Sequence, residues 1–166
     1  MAFRSEKSRS SKAELYVKKI RNGTVIDHIS SGYALDVLKI LNITGKESNT
    51  VAVVMNVPSK LIGKKDIVKI EGWELRPEDV NKIALISPNA TINIIKEYDV
   101  VEKKTVNLPR DIRDIVRCSN PACISKKEPV DSLFHVTEVE PIRLRCHYCN
   151  RAMEKRDILG QFYRSS

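Results

Sequence analysis

The sequence predicts an α+β fold: a mostly antiparallel sheet with two helices on one face, followed by a small β domain organised by cysteines. Three observations support this prediction. Isoleucine and valine together account for 34 of the 166 residues, and β-branched side chains pack well on a pleated sheet. Apolar residues recur with strand-like spacing in most segments and with helical spacing in two of them. All four cysteines lie near the end of the chain.

The first predicted element is a β-hairpin. Residues 14–20 contain alternating apolar side chains, and Asn22-Gly23 follows them. An Asn-Gly pair between apolar runs favours a tight turn, because both residues tolerate the positive φ that such a turn requires. We therefore expect residues 24–29 to form the returning strand.

A first helix is predicted after this strand. Ser30 and Ser31 have side chains suited to capping a helix N-terminus, and the apolar residues that follow recur at helical spacing. Gly45 is expected to end the helix, since glycine adopts the left-handed conformation common after helix termini. The residues that form the apolar stripe are Ala34, Val37, Leu38 and Leu41.

Two strands and a second helix come next. Residues 50–57 and 66–71 are rich in β-branched residues and predict strands. Pro77 is suited to the first helical position, and acidic residues directly after it interact favourably with the helix dipole. Ser87-Pro88 is expected to end this helix.

Two more predicted strands, at residues 91–96 and 98–106, complete the first domain. The order of hairpin, helix, two strands, helix and two strands is typical of an α+β sandwich with both helices on one face, as in ferredoxin-like folds. We expect a flexible basic tail at residues 1–13, a first domain at residues 14–106 and a second domain at residues 107–166.

The composition of the chain gives evidence on where in the cell the protein is located. The chain carries a net charge of +8, and no apolar run approaches the ~18 residues that a membrane span needs. Residues 1–13 are rich in Arg, Lys and Ser and lack the apolar stretch of a signal peptide. These features predict a cytoplasmic protein with no membrane partner.

The cysteines predict a metal site. They follow the pattern Cys-x4-Cys, 22 residues, Cys-x2-Cys, and each close pair can present two thiolates to one ion. Structural zinc is the favoured interpretation, because the second domain is too small to be stabilised by a hydrophobic core alone. A bound metal would supply additional folding free energy. Two disulfides or a redox-active Cys-x2-Cys are the alternatives. The four predicted ligands are Cys118, Cys123, Cys146 and Cys149.

The sequence gives little support for catalysis. Four sulfur ligands would leave no open position on the metal, and Gly63-Lys64-Lys65 lacks the glycine spacing of a P-loop. His147 lies between the last two cysteines and is expected to face solvent or support the site from outside. His135 is interpreted as an ordinary strand residue. We therefore expect a protein that is not an enzyme.

Several blocks in succession resemble one family, the regulatory chains of aspartate carbamoyltransferase. The match extends from about residue 14 to residue 155, and an archaeal member is expected. Ala122 and Asn150, both in the second domain, depart from the family's pattern. The matching blocks are residues 23–29, 58–59, 63–71, 84–88, 90–93, 98–101, 118–125, 128–130 and 146–149.

The resemblance implies a non-catalytic regulatory subunit in pyrimidine biosynthesis. In the family, the first domain binds nucleoside triphosphates (ATP, CTP and UTP) as allosteric effectors. The zinc domain, with one Zn²⁺ per chain, docks on catalytic chains, and regulatory homodimers bridge two catalytic trimers.

The resemblance also implies a nucleotide site. By matching blocks, Asp27 and Lys69 would hold the ribose and base, and His28, Asn93 and Lys103 would contact phosphates. The remaining residues would line the base pocket: Ile20, Ile95, Tyr98 and Val100.

The alternative is a zinc-ribbon protein that binds nucleic acid. It follows from the net charge of +8 and the pI of about 9.4. Such a protein needs a basic face with aromatic stacking groups, whereas the basic excess here is spread along the chain. No nucleic-acid partner is therefore expected.

Overall fold

The computed structural model describes residues 18–163. Its first part is a five-stranded antiparallel sheet with strand order β2-β3-β1-β4-β5, to which two helices contribute the other layer. The elements are β1 (Gly23–Ser30), α1 (Ala34–Ile40), β2 (Val51–Ser59), β3 (Gly63–Glu71), α2 (Pro77–Ile86), β4 (Thr91–Lys96) and β5 (Asp99–Thr105).

The second part is a four-stranded antiparallel sheet with strand order β6-β7-β8-β9. A short 3₁₀ turn, Ile124–Lys126, lies between its first two strands, and a terminal helix follows its last strand. The elements are β6 (Asp111–Arg113), β7 (Leu133–Val139), β8 (Ile142–Cys146), β9 (Ala152–Glu154) and α3 (Lys155–Tyr163).

The predicted α+β fold is confirmed, and the pairing of β1 shows why it forms. Ile26 lies opposite Val68 of β3 and Ile92 of β4. These three side chains are buried in one core with residues of α1 and α2. Residues paired across antiparallel strands point to the same side of a sheet. The two helices therefore cover one face, and no helix among residues 18–163 is packed on the other.

The predicted hairpin at Asn22-Gly23 is wrong. Strand β1 pairs with β3 on one side and with β4 on the other, so no edge is available for residues 18–20, which form no strand. Residues 14–17 lie outside the described residues. The Asn22 carbonyl instead accepts a hydrogen bond from the Gly72 N–H at 2.8 Å.

Gly23 is needed for close approach between strands rather than for a hairpin turn. Its φ is +147°, and a Cβ at this position would lie 2.2 Å from the Ile70 carbonyl oxygen. That separation is far inside van der Waals contact, so any side chain here would push β1 away from β3.

The predicted serine cap of the first helix is also wrong. Ser30 belongs to β1, the N-cap of α1 is Tyr33, and no side chain of the cap residue bonds to the helix. The helix ends at Ile40 rather than at Gly45.

A carboxylate from a neighbouring strand replaces the predicted cap. Asp66 of β3 is completely buried. Its Oδ2 accepts hydrogen bonds from the N–H groups of Gly32 at 2.9 Å and Ala34 at 3.1 Å. Its Oδ1 accepts one from the Asn56 N–H at 2.9 Å. Asp66 therefore joins the turn before α1 to Asn56 of β2, where the register with β3 shifts between Val54 and Val57.

The second helix begins as predicted. Pro77 is its first residue, and the side chain of Asp79 accepts a hydrogen bond from the Arg76 N–H at 3.1 Å. This bond satisfies a backbone donor that the helix itself leaves unpaired.

Helix α3 joins the second core to the first helices. Leu85 of α2 is buried in the core of the second sheet, while Phe162 of α3 contacts both cores. The Tyr163 hydroxyl donates a hydrogen bond to Asp36 of α1. The Lys155 ammonium lies 3.5 Å from the centre of the Tyr33 ring, a favourable cation–π contact.

The buried Asp66 carboxylate predicts a large effect of a small substitution. Asp66→Asn keeps the shape of the side chain but places an NH₂ group against backbone N–H donors. We expect a loss of about 1.5–3 kcal/mol in the free energy of unfolding, the range for hydrogen bonds to charged groups. Urea denaturation followed by fluorescence of Trp73, the single tryptophan, measures this change. Asp99→Asn, at an exposed position of β5, is the control, and equal stability of the two variants would contradict the role of Asp66.

Candidate metal centre and open sheet face

The four cysteine thiols form one compact group. Their Sγ atoms all lie within 4.8 Å of one another. The Sγ atoms of Cys118 and Cys149 are 3.5 Å apart, and those of Cys123 and Cys146 are 3.7 Å apart. Four sulfurs at 2.3 Å from a tetrahedral ion would be separated by about 3.8 Å. The group therefore fits a single tetrahedral metal ion, and all four cysteines are free thiols rather than disulfides.

Two tight turns bring the thiols together. In the first turn, the Asn120 N–H donates to Cys118 Sγ at 3.4 Å, and the Asn120 side chain accepts from the Ala122 N–H at 3.0 Å. In the second turn, the Asn150 N–H donates to the Cys146 carbonyl at 3.0 Å. Asn150 has a φ of +60°, a conformation that asparagine adopts more readily than most residues.

The protein environment shifts the pKa values of the thiols in different directions. Burial raises the pKa of Cys118 to about 12 and also raises that of Cys146. A backbone hydrogen bond from Arg151 lowers the pKa of Cys149 to about 6. Because metals bind thiolates, a cation must displace the protons from the buried sulfurs, and its positive charge compensates for their desolvation.

A polar row crosses the face of the first sheet opposite the helices. Val25 of β1 lies opposite Lys69 of β3 and Asn93 of β4, and Asn93 lies opposite Lys103 of β5. Paired residues point to the same side, so these side chains share the face that Ile26 does not use. We call this surface the open face.

Asp27 and His28 lie at one end of the open face, where β1 has an irregular register between Ile26 and Ile29. His28 has a φ of +55°, and its Nδ1 lies 3.0 Å from Thr91 Oγ1. Lys65 forms an ion pair with Asp27, with Nζ 2.9 Å from Oδ1. No local sequence pattern indicates this ion pair, because it joins different strands.

The apolar residues predicted for the site lie toward the other end of β1. Ile95 lies opposite both Gly23 and Val100. The Tyr98 N–H donates to the carbonyl of Arg21, the residue after Ile20, at 2.9 Å. Tyr98 and Val100 are more than half exposed, whereas Ile95 is only 7% exposed.

Asn93 contains an unusual polar atom. Its Oδ1 is buried, and within residues 18–163 no group donates a hydrogen bond to it. Buried polar atoms in proteins nearly always have a partner. This side chain therefore has unused hydrogen-bonding capacity at the centre of the polar row.

Comparisons with known proteins agree with both parts of the structure. Residues 15–107 match the family "Aspartate carbamoyltransferase regulatory chain, allosteric domain", and residues 110–159 match the corresponding "metal binding domain".

Similar curated proteins carry the same description, aspartate carbamoyltransferase regulatory chain. The protein from Korarchaeum cryptofilum is 52% identical over 90% of this chain and 97% of its own length. The protein from Pyrococcus abyssi is 55% identical over 89% of this chain and 98% of its own length. The protein from Methanothrix thermoacetophila is 56% identical over 86% of this chain and 94% of its own length.

The two sheets, the four-thiol centre and these matches define a non-catalytic regulatory subunit with an allosteric domain and a metal-binding domain. The chain belongs to the family of aspartate carbamoyltransferase regulatory chains, which serve pyrimidine biosynthesis. The resemblance recognised in the sequence is thereby confirmed. Within residues 18–163, no helix is long and apolar enough to cross a membrane.

The four-thiol centre predicts the effect of losing one ligand. Cys146→Ser should reduce the metal content from one ion per chain to nearly none, because three thiolates hold the ion much less tightly. Elemental analysis of the purified protein measures this content. The fluorescence of Trp73, which packs against the first core, should change little.

The control is His147→Ala, which changes a neighbour of two cysteines but removes no thiol. It should keep its metal. A Cys146→Ser protein that retains one tightly bound ion would rule out the four-thiol centre.

Proposed function

We propose that this chain binds a nucleoside triphosphate on its open face and transmits the effect of binding to catalytic chains through a zinc-bearing domain. The observation that carries the proposal is the polar row formed by Lys69, Asn93 and Lys103 across three strands. A triphosphate carries several negative charges, which two lysines on one face would offset.

Each predicted residue has a role that its position supports. The Asp27 carboxylate is held by Lys65, and its remaining lone pairs would accept hydrogen bonds from ribose hydroxyls. Lys69 assists at the ribose and base. His28, Asn93 and Lys103 contact phosphates, and the Asn93 amide gains a partner for its unsatisfied atom.

The base binds toward the other end of β1, close to Tyr98. Tyr98 and Val100 offer exposed apolar surface, while Ile20 and Ile95 contribute backbone groups and the edge of the pocket. Binding of ATP, CTP and UTP at one site is consistent with recognition that uses backbone groups and apolar contacts.

The metal is zinc, and its role is structural. Zinc favours four tetrahedral thiolates at separations like those of the four Sγ atoms. By cross-linking the four cysteines, the ion stabilises the small second sheet. It takes part in no reaction. The four thiolates leave no position for a substrate or water.

The partners follow from this division of the chain. Residues 14–106 form the nucleotide-binding domain, and residues 107–166 form the zinc domain, which docks on catalytic trimers. The basic segment at residues 1–13 lies outside the described residues. Regulatory chains pair as homodimers that bridge two trimers in the cytoplasm. Helix α3, which contacts both cores through Phe162, gives a physical route between the two functions.

The position of the open face predicts that two neighbouring lysines contribute differently to nucleotide affinity. Lys103→Ala should weaken ATP or CTP binding by about 1.5–3 kcal/mol, because it removes a charged hydrogen bond. Lys104→Ala removes the same charge one position further along β5. The Lys104 side chain lies opposite Ile92, on the side of the sheet that faces the helices. It forms an ion pair with Glu102 at 2.7 Å. This variant should change affinity little. Isothermal calorimetry measures both, and equal losses would place the nucleotide elsewhere.

The zinc domain predicts that metal controls assembly separately from nucleotide binding. Protein stripped of zinc should fail to join purified catalytic trimers in size-exclusion chromatography, while its affinity for CTP stays within about twofold of the loaded protein. Adding zinc back should restore assembly. Attachment of the metal-free chain to trimers would contradict docking through the zinc domain.

A further inference from the structure

Three side chains outside the four-thiol centre form a connected polar chain on the second sheet. Asp111 Oδ1 lies 2.7 Å from His135 Nδ1, and His135 Nε2 lies 3.0 Å from His147 Nδ1. Neither the metal centre nor the open face uses these residues. Their arrangement is unexplained by the proposed function.

Strand pairing places these groups together on an accessible surface. Asp111 of β6 lies directly opposite His135 of β7, which lies opposite Arg145 of β8. His147 is two residues beyond Arg145, and its N–H donates to the Leu133 carbonyl at 2.9 Å. The side chains of His135 and Asp111 are 36% and 51% exposed, so a dissolved ion can reach them.

The carboxylate of Asp111 determines which nitrogen of His135 is available. Because a carboxylate accepts hydrogen bonds, His135 Nδ1 carries the proton and donates it to Asp111. His135 Nε2 therefore presents a lone pair toward His147. A carboxylate that orients a histidine in this way is the usual support for a metal-binding imidazole.

The separation of the two nitrogens also suits a shared ion. Two nitrogens at about 2.1 Å from one metal, with an angle of 90° between them, are about 3.0 Å apart. His135 Nε2 and His147 Nδ1 are 3.0 Å apart. Right-angle positions occur in octahedral and square-planar sites, and imidazole ligands suit nickel and copper.

We propose that His135 Nε2 and His147 Nδ1 bind a second divalent transition-metal ion, of the Ni²⁺ class, on the surface of the second sheet. Neutral His147 then carries its proton on Nε2, and each ring turns by roughly 45°, because the two nitrogens point at one another in the hydrogen bond whereas a right-angle site needs both lone pairs aimed to one side. Water occupies the remaining positions. Without the ion, the same two nitrogens share a hydrogen bond. Asp111 is a positioning residue that does not touch the metal.

The test is a calorimetric titration of the full, zinc-loaded chain with NiCl₂ in a non-chelating buffer. One nickel ion should bind per chain while the zinc content stays at one. No intense thiolate-to-nickel absorption should appear, because the cysteines keep their zinc. This spectrum separates the histidine site from simple replacement of zinc.

Variants identify the ligands. His135→Ala and His147→Ala should each weaken nickel binding at least tenfold, and Asp111→Asn should weaken it about tenfold, as for other residues that orient metal ligands. His28→Ala is the matched control: the chain has three histidines, and His28 lies on the first sheet. It should leave nickel binding unchanged.

Three results would overturn the proposal. Wild-type chain that does not bind nickel would mean that the two rings only share a hydrogen bond. Unchanged affinity in His135→Ala or His147→Ala would place the ion elsewhere. Release of zinc in proportion to bound nickel would show that the thiols are the site. Retained zinc in every variant confirms that the second sheet remains folded.

Discussion

The two-sided pairing of β1 is the constraint on which the rest of the first sheet depends. Ile26 lies opposite Val68 and Ile92, which directs three apolar side chains toward the helices. Its neighbour Val25 lies opposite Lys69 and Asn93 on the open face. A shift of one residue would exchange the two faces, burying charge and exposing the core. The same register therefore fixes both the hydrophobic core and the position of the polar row.

The second sheet depends on a different interaction. Its core includes three of the cysteines themselves, so the metal centre and the hydrophobic core are one structure. Helix α3 extends from this core to α1, where Tyr163 bonds to Asp36 and Lys155 packs against Tyr33. A change in the packing of the first helices can therefore move the metal-bearing sheet through direct contacts.

Local sequence patterns predicted the elements whose causes are local. Pro77 marks the start of α2, and the cysteine spacing predicts the thiol group that the structure shows. The errors come from interactions between distant segments. Asn22-Gly23 has the composition of a hairpin turn, but Gly23 is required by the nearby Ile70 carbonyl. The cap of α1 comes from Asp66 on another strand, which no pattern around residue 30 reveals. The binding roles on the open face rest on family resemblance rather than on local pattern, and they remain predictions.

The central claim is that the open face and the metal-bearing domain are coupled through α3, and the rate of aspartate carbamoylation tests it most directly. Purified catalytic trimers are assembled with zinc-loaded wild-type chain or with Tyr163→Phe, which loses its hydrogen bond to Asp36 but keeps its ring over Lys39. The account predicts that a nucleoside triphosphate changes the rate with wild-type chain. It predicts a smaller change with Tyr163→Phe, although that variant binds nucleotide and trimers normally. An equal nucleotide response in both assemblies would contradict coupling through this contact, and no response with wild-type chain would contradict the regulatory function itself.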